Sequence, residues 1–269
     1  MKYSKISIIV LLFFLIALVL LFLNGYIQNR ILFNAIEKED YNAAKRALAH
    51  GAFVNCPQYL VDIREFAPTN PTPLIVACKI GNEELVRLLL DCGADINKAD
   101  GFTGKTPLLA ALHGSKANRF SLAMYLIQWG ADKYISQAST SPFYETLSVL
   151  ESDSEQTVAE GFQVFQYLMM HDVDKTVYMS KESVLTFATH HRNYNVVKYL
   201  IENGYSNVDA RDNNGDTALI VASKYNHVEV VELLLSFNAD KDLVNGEGKT
   251  AYDYARELEY GELIAILSA

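Results

Sequence analysis

The chain has 269 residues, 50% of them apolar, with 23 basic and 32 acidic side chains and a formal net charge of −9. Residues 1–30 hold Lys2, Lys5 and Arg30 and no acid, so residues 31–269 carry 20 basic against 32 acidic groups, a balance of −12. That surface lacks the basic excess that nucleic-acid backbones demand, and it suits a neutral or basic protein partner.

Residues 6–23 are 18 in a row with no charge and a single Ser. As a helix at 1.5 Å per residue they span ~27 Å, about one hydrocarbon core. Residues 1–5 are a basic n-region, so the positive-inside tendency keeps the N-terminus in the cytoplasm and sends the rest across. The apolar run is longer than that of a cleaved signal peptide, and Leu23, Asn24 and Gly25 make a poor cleavage site. No Cys follows the run, which argues against a lipoprotein anchor. Residues 6–23 therefore read as an uncleaved transmembrane signal anchor in preference to a cleaved signal, and residues 24–30 as a juxtamembrane link.

The first helix pair covers residues 31–55, with helices at 31–36 and 41–49 ending at His50 and Gly51. It has no front turn, as expected of a capping unit, and residues 37–40, Lys45 and Arg46 suit its solvent face. From Asn55 to Thr72 is 17 positions, whereas from Asn97 to Thr106 is 9. The extra stretch carries Tyr59, Leu60, Val61, Ile63 and Phe66. Either it folds back on the next pair, or it is a binding protrusion; the residues favour neither.

Residues 72–97 are regular: Thr72 and Pro73 open the first helix, and Gly81, Asn82, Glu83 and Glu84 start the second with acids in its first turn. Residues 102–134 repeat the plan behind a turn of Asp100 to Gly104, with a longer inter-helix loop from His113 to Phe120. The only tryptophan, Trp129, is expected half-buried at the joint between units. Residues 139–174 are degenerate. Their loop between Leu150 and Phe162 is about ten residues longer than the regular spacing and carries Glu151, Asp153, Glu155 and Glu160. It reads as a solvated face or as an acidic finger against a basic partner. Residues 180–208 restore the spacing.

Residues 211–240 show the plan most clearly. Asn213, Asn214 and Gly215 make a turn; Ala218 to Ala222 are apolar; Tyr225, Asn226 and His227 break the helix; Val228, Val230, Val231, Leu233, Leu234 and Leu235 form a wide apolar face. Asn238 takes the left-handed C-terminal position, where Gly51, Gly93, Gly130 and Gly204 stand in the other units. With 213–241 as one unit and 246–269 as the next, the latter has the short, polar-faced form of a C-terminal cap.

The helix starts Thr72 and Thr106 are 34 apart, Ser183 and Thr217 34, and Thr217 and Thr250 33. A turn and two helices at this period resemble the ankyrin-repeat family. The closest matches are Thr72, Pro73 and Leu74 followed by Leu85 to Leu90 and Gly93 to Asn97, then Gly104 to Leu108 with Gly130, Ala131 and Asp132. The resemblance covers residues 31–267 and implies an all-α solenoid of about seven helix-turn-helix units with short finger turns, here behind one transmembrane helix.

Catalytic patterns are missing. The six histidines (His50, His113, His171, His190, His191, His227) form no H-x-x-x-H, and no C-x-x-C, G-x-S-x-G or phosphate-loop motif occurs. His190 and His191, being adjacent on a helix, are expected on different faces. Three cysteines give no closed disulfide framework. Cys78 reads as core, and Cys56 with Cys92 is the pair an oxidising compartment could join. No enzyme, cofactor or metal is expected.

The resemblance implies protein binding on stacked first helices and finger turns. The candidate contact residues are Tyr59, Phe66, Phe102, Tyr134, Phe143 and Tyr178, with Glu151, Asp153 and Glu155 as the acidic set. No Asn-x-Ser/Thr acceptor occurs, which tilts the exported side towards a bacterial periplasm. The combination is similar to bacterial inner-membrane-anchored, periplasm-facing ankyrin proteins of the immunity type. That implies a free monomer that binds and inhibits a basic secreted toxin, such as a lipase effector. An accessory or scaffold role beside an envelope or oxidative-stress enzyme is the alternative, and a structural tether a third.

Overall fold

The computed structural model describes residues 5–58, 70–114, 118–133, 142, 145–146, 155–170 and 184–269, without the side chains of 5–9 and 155–158. The described residues are helical. Their only β pairing is an isolated bridge between Arg211 and Thr217, so the all-α class holds. The chain divides into two compact units, Met1–Pro142 and Phe143–Ala269.

The first unit opens with α1 (Lys5–Glu37), a single 33-residue helix. Its stretch Val10–Glu37 is long and apolar enough to cross a membrane, and only 6% of the most apolar window is buried. The link expected at residues 24–30 is instead a helix continuing without a break into the first packed helix. The reason lies in what the turns beyond Leu23 touch. Gly25 is buried beneath the Phe53 ring: a Cβ there would meet Phe53 Cε2 at 2.7 Å. Asn29 is 5% exposed; its side chain accepts the Phe53 N–H at 2.7 Å and donates to Cys56 Sγ at 3.1 Å. Asn24 donates to the His50 carbonyl at 2.9 Å. Below them Leu32, Phe33, Ala35 and Ile36 are buried core.

α1 packs on α2 (Tyr41–Ala49), and the pair α3 (Pro73–Ile80) and α4 (Glu83–Asp91) follows, then α5 (Pro107–Leu112) and α6 (Arg119–Gln128). First helices stack in the order α1, α3, α5, and second helices α2 on α4. Each short helix has its start written locally. The Thr72 and Thr106 hydroxyls accept the N–H three residues on, with Pro at the first helical position. Asn82 caps α4 the same way. Cys78 is fully buried, as core.

The second unit has α7 (Glu155–Met170), then α8 (Val184–His190) with α9 (Tyr194–Glu202), α10 (Ala218–Lys224) with α11 (Val228–Ser236), and α12 (Ala251–Glu257) with α13 (Gly261–Ser268). Again first helices α8, α10 and α12 stack, as do second helices α9, α11 and α13. Thr217 caps α10, and Thr250 forms a reciprocal capping box with Asp253 at the start of α12. Asn238 adopts φ +59°, the left-handed conformation its place in the pattern predicts. α7 starts at Glu155, so part of the expected acidic loop is helix. The helix has no Gly or Pro before Gly161 to stop it, and it ends with Phe162 and Phe165 packed edge-on against Tyr199 of α9 at 5.5 and 6.0 Å.

Candidate interaction surface

The described finger turns are each built around one polar side chain, buried at Asp100 and Asn245 and half-buried at Asp212. Asp100 is 3% exposed; one carboxylate oxygen accepts the Phe102 and Thr103 N–H groups at 2.8 and 3.0 Å, the other the Asn70 N–H at 2.9 Å. Asp212 accepts from Asn214 and Asp216, both at 2.8 Å. Asn245 accepts from Glu247 and Lys249 at 2.9 and 3.1 Å, and donates to Asp216 at 2.7 Å. These Asx turns leave the tip side chains free to face outward. Phe102, at the tip held by Asp100, is 72% exposed.

A second set of side chains ties the base of one finger to the next pair. Asn55 accepts the Asp95 N–H at 2.8 Å, Asn97 the Asp132 N–H at 2.7 Å, and Asp209 the Asp240 N–H at 3.0 Å. The signal is visible in the sequence as an Asn or Asp about one period before each left-handed terminus, but nothing local names its partner.

Of the nine predicted contact residues, Phe102 alone has a described side chain. Tyr59, Phe66, Tyr134, Phe143, Glu151, Asp153 and Tyr178 lie outside the described residues, and Glu155 is described only as the first residue of α7. The structure adds an aromatic cluster around Trp129, with Tyr125 a member that the sequence did not single out. Trp129, at the end of α6, is 52% exposed and lies against the Tyr125 ring at 5.6 Å. The Arg87 guanidinium of α4 sits 5.0 Å over the other partner, Tyr125, so Arg87, Tyr125 and Trp129 form a stripe across two second helices. Burial pushes the Tyr125 hydroxyl pKa up, with Arg87 opposing and Asp91 and Glu83 adding to the rise.

In the second unit Tyr225, 52% exposed, stacks on His190 at 4.6 Å and lies 5.9 Å from His227. The His190 and His191 rings are 5.4 Å apart and take different neighbours, His190 the Tyr225 ring and His191 the Phe187 ring at 4.5 Å. α8 ends at His190, and in the turn that follows Arg192 takes φ +50°. A shallow cleft between α9 and α11 is lined by Tyr194, Val230 and Leu233, with an Arg192–Glu229 ion pair at 2.9 Å on its wall.

None of these surfaces is arranged for bond chemistry. Among the described residues no group of His, Cys, Asp and Glu is placed to hold a metal ion. The thiols of Cys56, Cys78 and Cys92 are free, and burial pushes the first two up, away from thiolate, with Lys98 opposing the rise at Cys56. What the described arrangement can do is present side chains from a packed scaffold: the Phe102 tip, the Arg87–Tyr125–Trp129 stripe and the Tyr225–His190 stack.

The chain matches the family profile described as ankyrin repeats (3 copies) over residues 32–137, 156–245 and 206–268. It is 37% identical over 65 residues to an ankyrin repeat protein of Acanthamoeba polyphaga mimivirus, a match spanning 24% of this chain and 16% of the viral one. The chain spans less than a fifth of the length of the curated relatives it matches, with shares of 16%, 6% and 6%. Among solved structures, the ankyrin repeat domain of human ASB11 superposes with a TM-score of 0.63 at 25% identity, over 83% of this chain and 90% of that one. The ankyrin repeat domain of Bcl-3 does so with a TM-score of 0.63 at 22% identity, over 89% and 98%; at that identity the likeness is one of fold alone.

Proposed function

We propose, for a chain that belongs to the ankyrin-repeat family, a membrane-anchored protein-binding module that captures and blocks a secreted toxin. One observation carries the reading. The exposed apolar part of α1 runs without a break into a packed, acidic array, so whatever holds α1 holds the binding surface too. Lys2 and Lys5 before the apolar run support an array facing the periplasm, across the inner membrane from the cytoplasm.

The acidic balance of residues 31–269 supports a basic partner, such as a lipase effector that must approach the bilayer to act. Charge of one sign speeds encounter with the opposite sign, and an anchored inhibitor is concentrated where such a toxin works. Inhibition would follow from occlusion: Phe102 and the other fingers cover the toxin's active-site mouth or its membrane-docking surface. An alternative partner, an envelope or oxidative-stress enzyme held by an accessory scaffold, would stay active when bound.

The test is capture from intact cells with the full chain as bait, followed by an activity assay on the captured protein. Loss of a hydrolase's activity at one-to-one stoichiometry supports the inhibitor. A partner that keeps its activity when bound would sink it in favour of the scaffold.

A further inference from the structure

The turn after α2 is uncharged and apolar at its tip: Gly51, Ala52, Phe53, Val54. Phe53 is 60% exposed although its ring rests on Gly25. That contact fixes its height. Gly25 lies two residues past the end of the 6–23 run, which at 1.5 Å per residue is ~3 Å beyond the hydrocarbon edge. The headgroup region adds roughly 5–8 Å per side to a ~30 Å core, so Phe53 lies within it. The surface at this height is continuous with the anchor: Phe22 is 78% exposed, Leu23 50% and Ile27 52%. Along α1 the next charge is Arg30, seven residues past Leu23, or ~10 Å.

The turn is clamped there. Asn29 holds the Phe53 N–H, Asn24 holds the His50 carbonyl, and the Cys56 N–H donates to the Phe53 carbonyl at 3.0 Å. A solvent-facing tip gains nothing from presenting Phe53 outward. One at the bilayer interface places an apolar ring where amphipathic surfaces bury theirs.

We infer that residues 51–54 dip into the phospholipid interface beside α1, giving the first unit a second lipid contact. The inference rests on the anchor reading above and deepens it. The occupant is lipid because the patch extends an exposed apolar helix surface of membrane-spanning length.

The test uses the full chain in phosphatidylcholine vesicles with the single native tryptophan removed by Trp129→Phe. Phe53→Trp in that background should emit to the blue of a water-exposed indole and be quenched by lipids brominated near the headgroup, the depth at which interfacial apolar faces sit. Leu20→Trp reports the anchor itself. Quenching of Leu20→Trp without quenching of Phe53→Trp overturns the turn's lipid contact and leaves the anchor standing. Quenching of neither removes both. Val54→Trp repeats the measurement at a neighbouring site should Phe53→Trp lose helix content by circular dichroism.

Discussion

Asn29 and Phe53, 24 residues apart, are joined by a hydrogen bond of 2.7 Å from the Phe53 N–H to the Asn29 side-chain oxygen. The same amide donates to Cys56, so one buried side chain on α1 organises both ends of the turn that follows α2. Replacing Asn29 by Leu removes the acceptor and leaves a part-buried N–H without its partner, a loss of about 1 kcal/mol. The melting temperature of the first unit should fall in detergent. An unchanged melt with normal amide protection at Phe53 would show that the clamp is not needed.

Asp100→Ala deprives three amides, those of Asn70, Phe102 and Thr103, of their acceptor at once. The expected cost is about 1–3 kcal/mol by the same argument. Asp100→Asn keeps one oxygen for the Phe102 and Thr103 amides and should cost less. Amide hydrogen exchange reads it directly: all three should speed up in the Ala variant, while Asn70 alone speeds up in the Asn variant. Equal exchange in both variants would refute the division of labour between the two oxygens.

Two glycines with left-handed backbones separate strain from crowding. Gly93 (φ +84°) has open space around a would-be Cβ, whereas at Gly215 (φ +76°) a Cβ would meet the Gly246 nitrogen at 2.9 Å and the Asn245 carbonyl carbon at 3.3 Å. Gly93→Ala should cost about 1 kcal/mol, from the left-handed conformation alone. Gly215→Ala should cost clearly more, because the obstacle is the backbone of the next finger. Urea midpoints of the two variants check the order; a reversed order would contradict it.

The pH dependence has two limbs. Asp253 is held below its ordinary 3.8 by the Thr250 N–H and then its hydroxyl. Glu229 is held below 4.5 by its own backbone N–H and then by Arg192. A carboxyl with a depressed folded pKa contributes stability above the unfolded value and loses it as pH falls through the folded one. Both contributions should therefore fade on acidification below about pH 4. Burial alone would lower Lys224, but the hydrogen bond and charge of Asp216, with Tyr254, outweigh it and raise the pKa above 10.5. A raised lysine contributes fully below its unfolded pKa and loses that contribution as pH climbs through the folded one, so Lys224→Met should narrow the gap to wild type only at strongly alkaline pH. Thermal melts from pH 3 to 11 on wild type, Asp253→Asn and Lys224→Met test both limbs; an Asp253→Asn curve parallel to wild type in acid would discard the first.

The fold was legible because its signals are local and repeated. Thr72, Thr106, Thr217 and Thr250 each mark a helix start by a hydroxyl that needs nothing beyond three residues downstream, and Asn238 marks an end by its backbone alone. What escaped was long-range. Nothing near Asn29 in the chain announces that its partner is Phe53, so residues 24–30 read as a link when they are helix. Trp129, expected half-buried before Gly130, stands 52% exposed with its ring against Tyr125. The exposed place of Phe102 follows from Asp100, two residues earlier, which sets its turn.

The unbroken α1 changes what the proposed anchoring would mean for this chain. A domain on a leash sweeps a hemisphere, and its reach is set by leash length. With no leash, a first unit anchored as proposed would have one elevation above the bilayer plane and one heading around the axis of α1, both set by helix geometry. Adding a single residue to α1 near Gln28 would swing the unit by ~100° and lift it by only ~1.5 Å; adding a full turn would lift it by ~5.4 Å with almost no swing. Selection on the length of this segment would therefore act like adjusting a periscope, choosing the level and the bearing at which an approaching molecule is met.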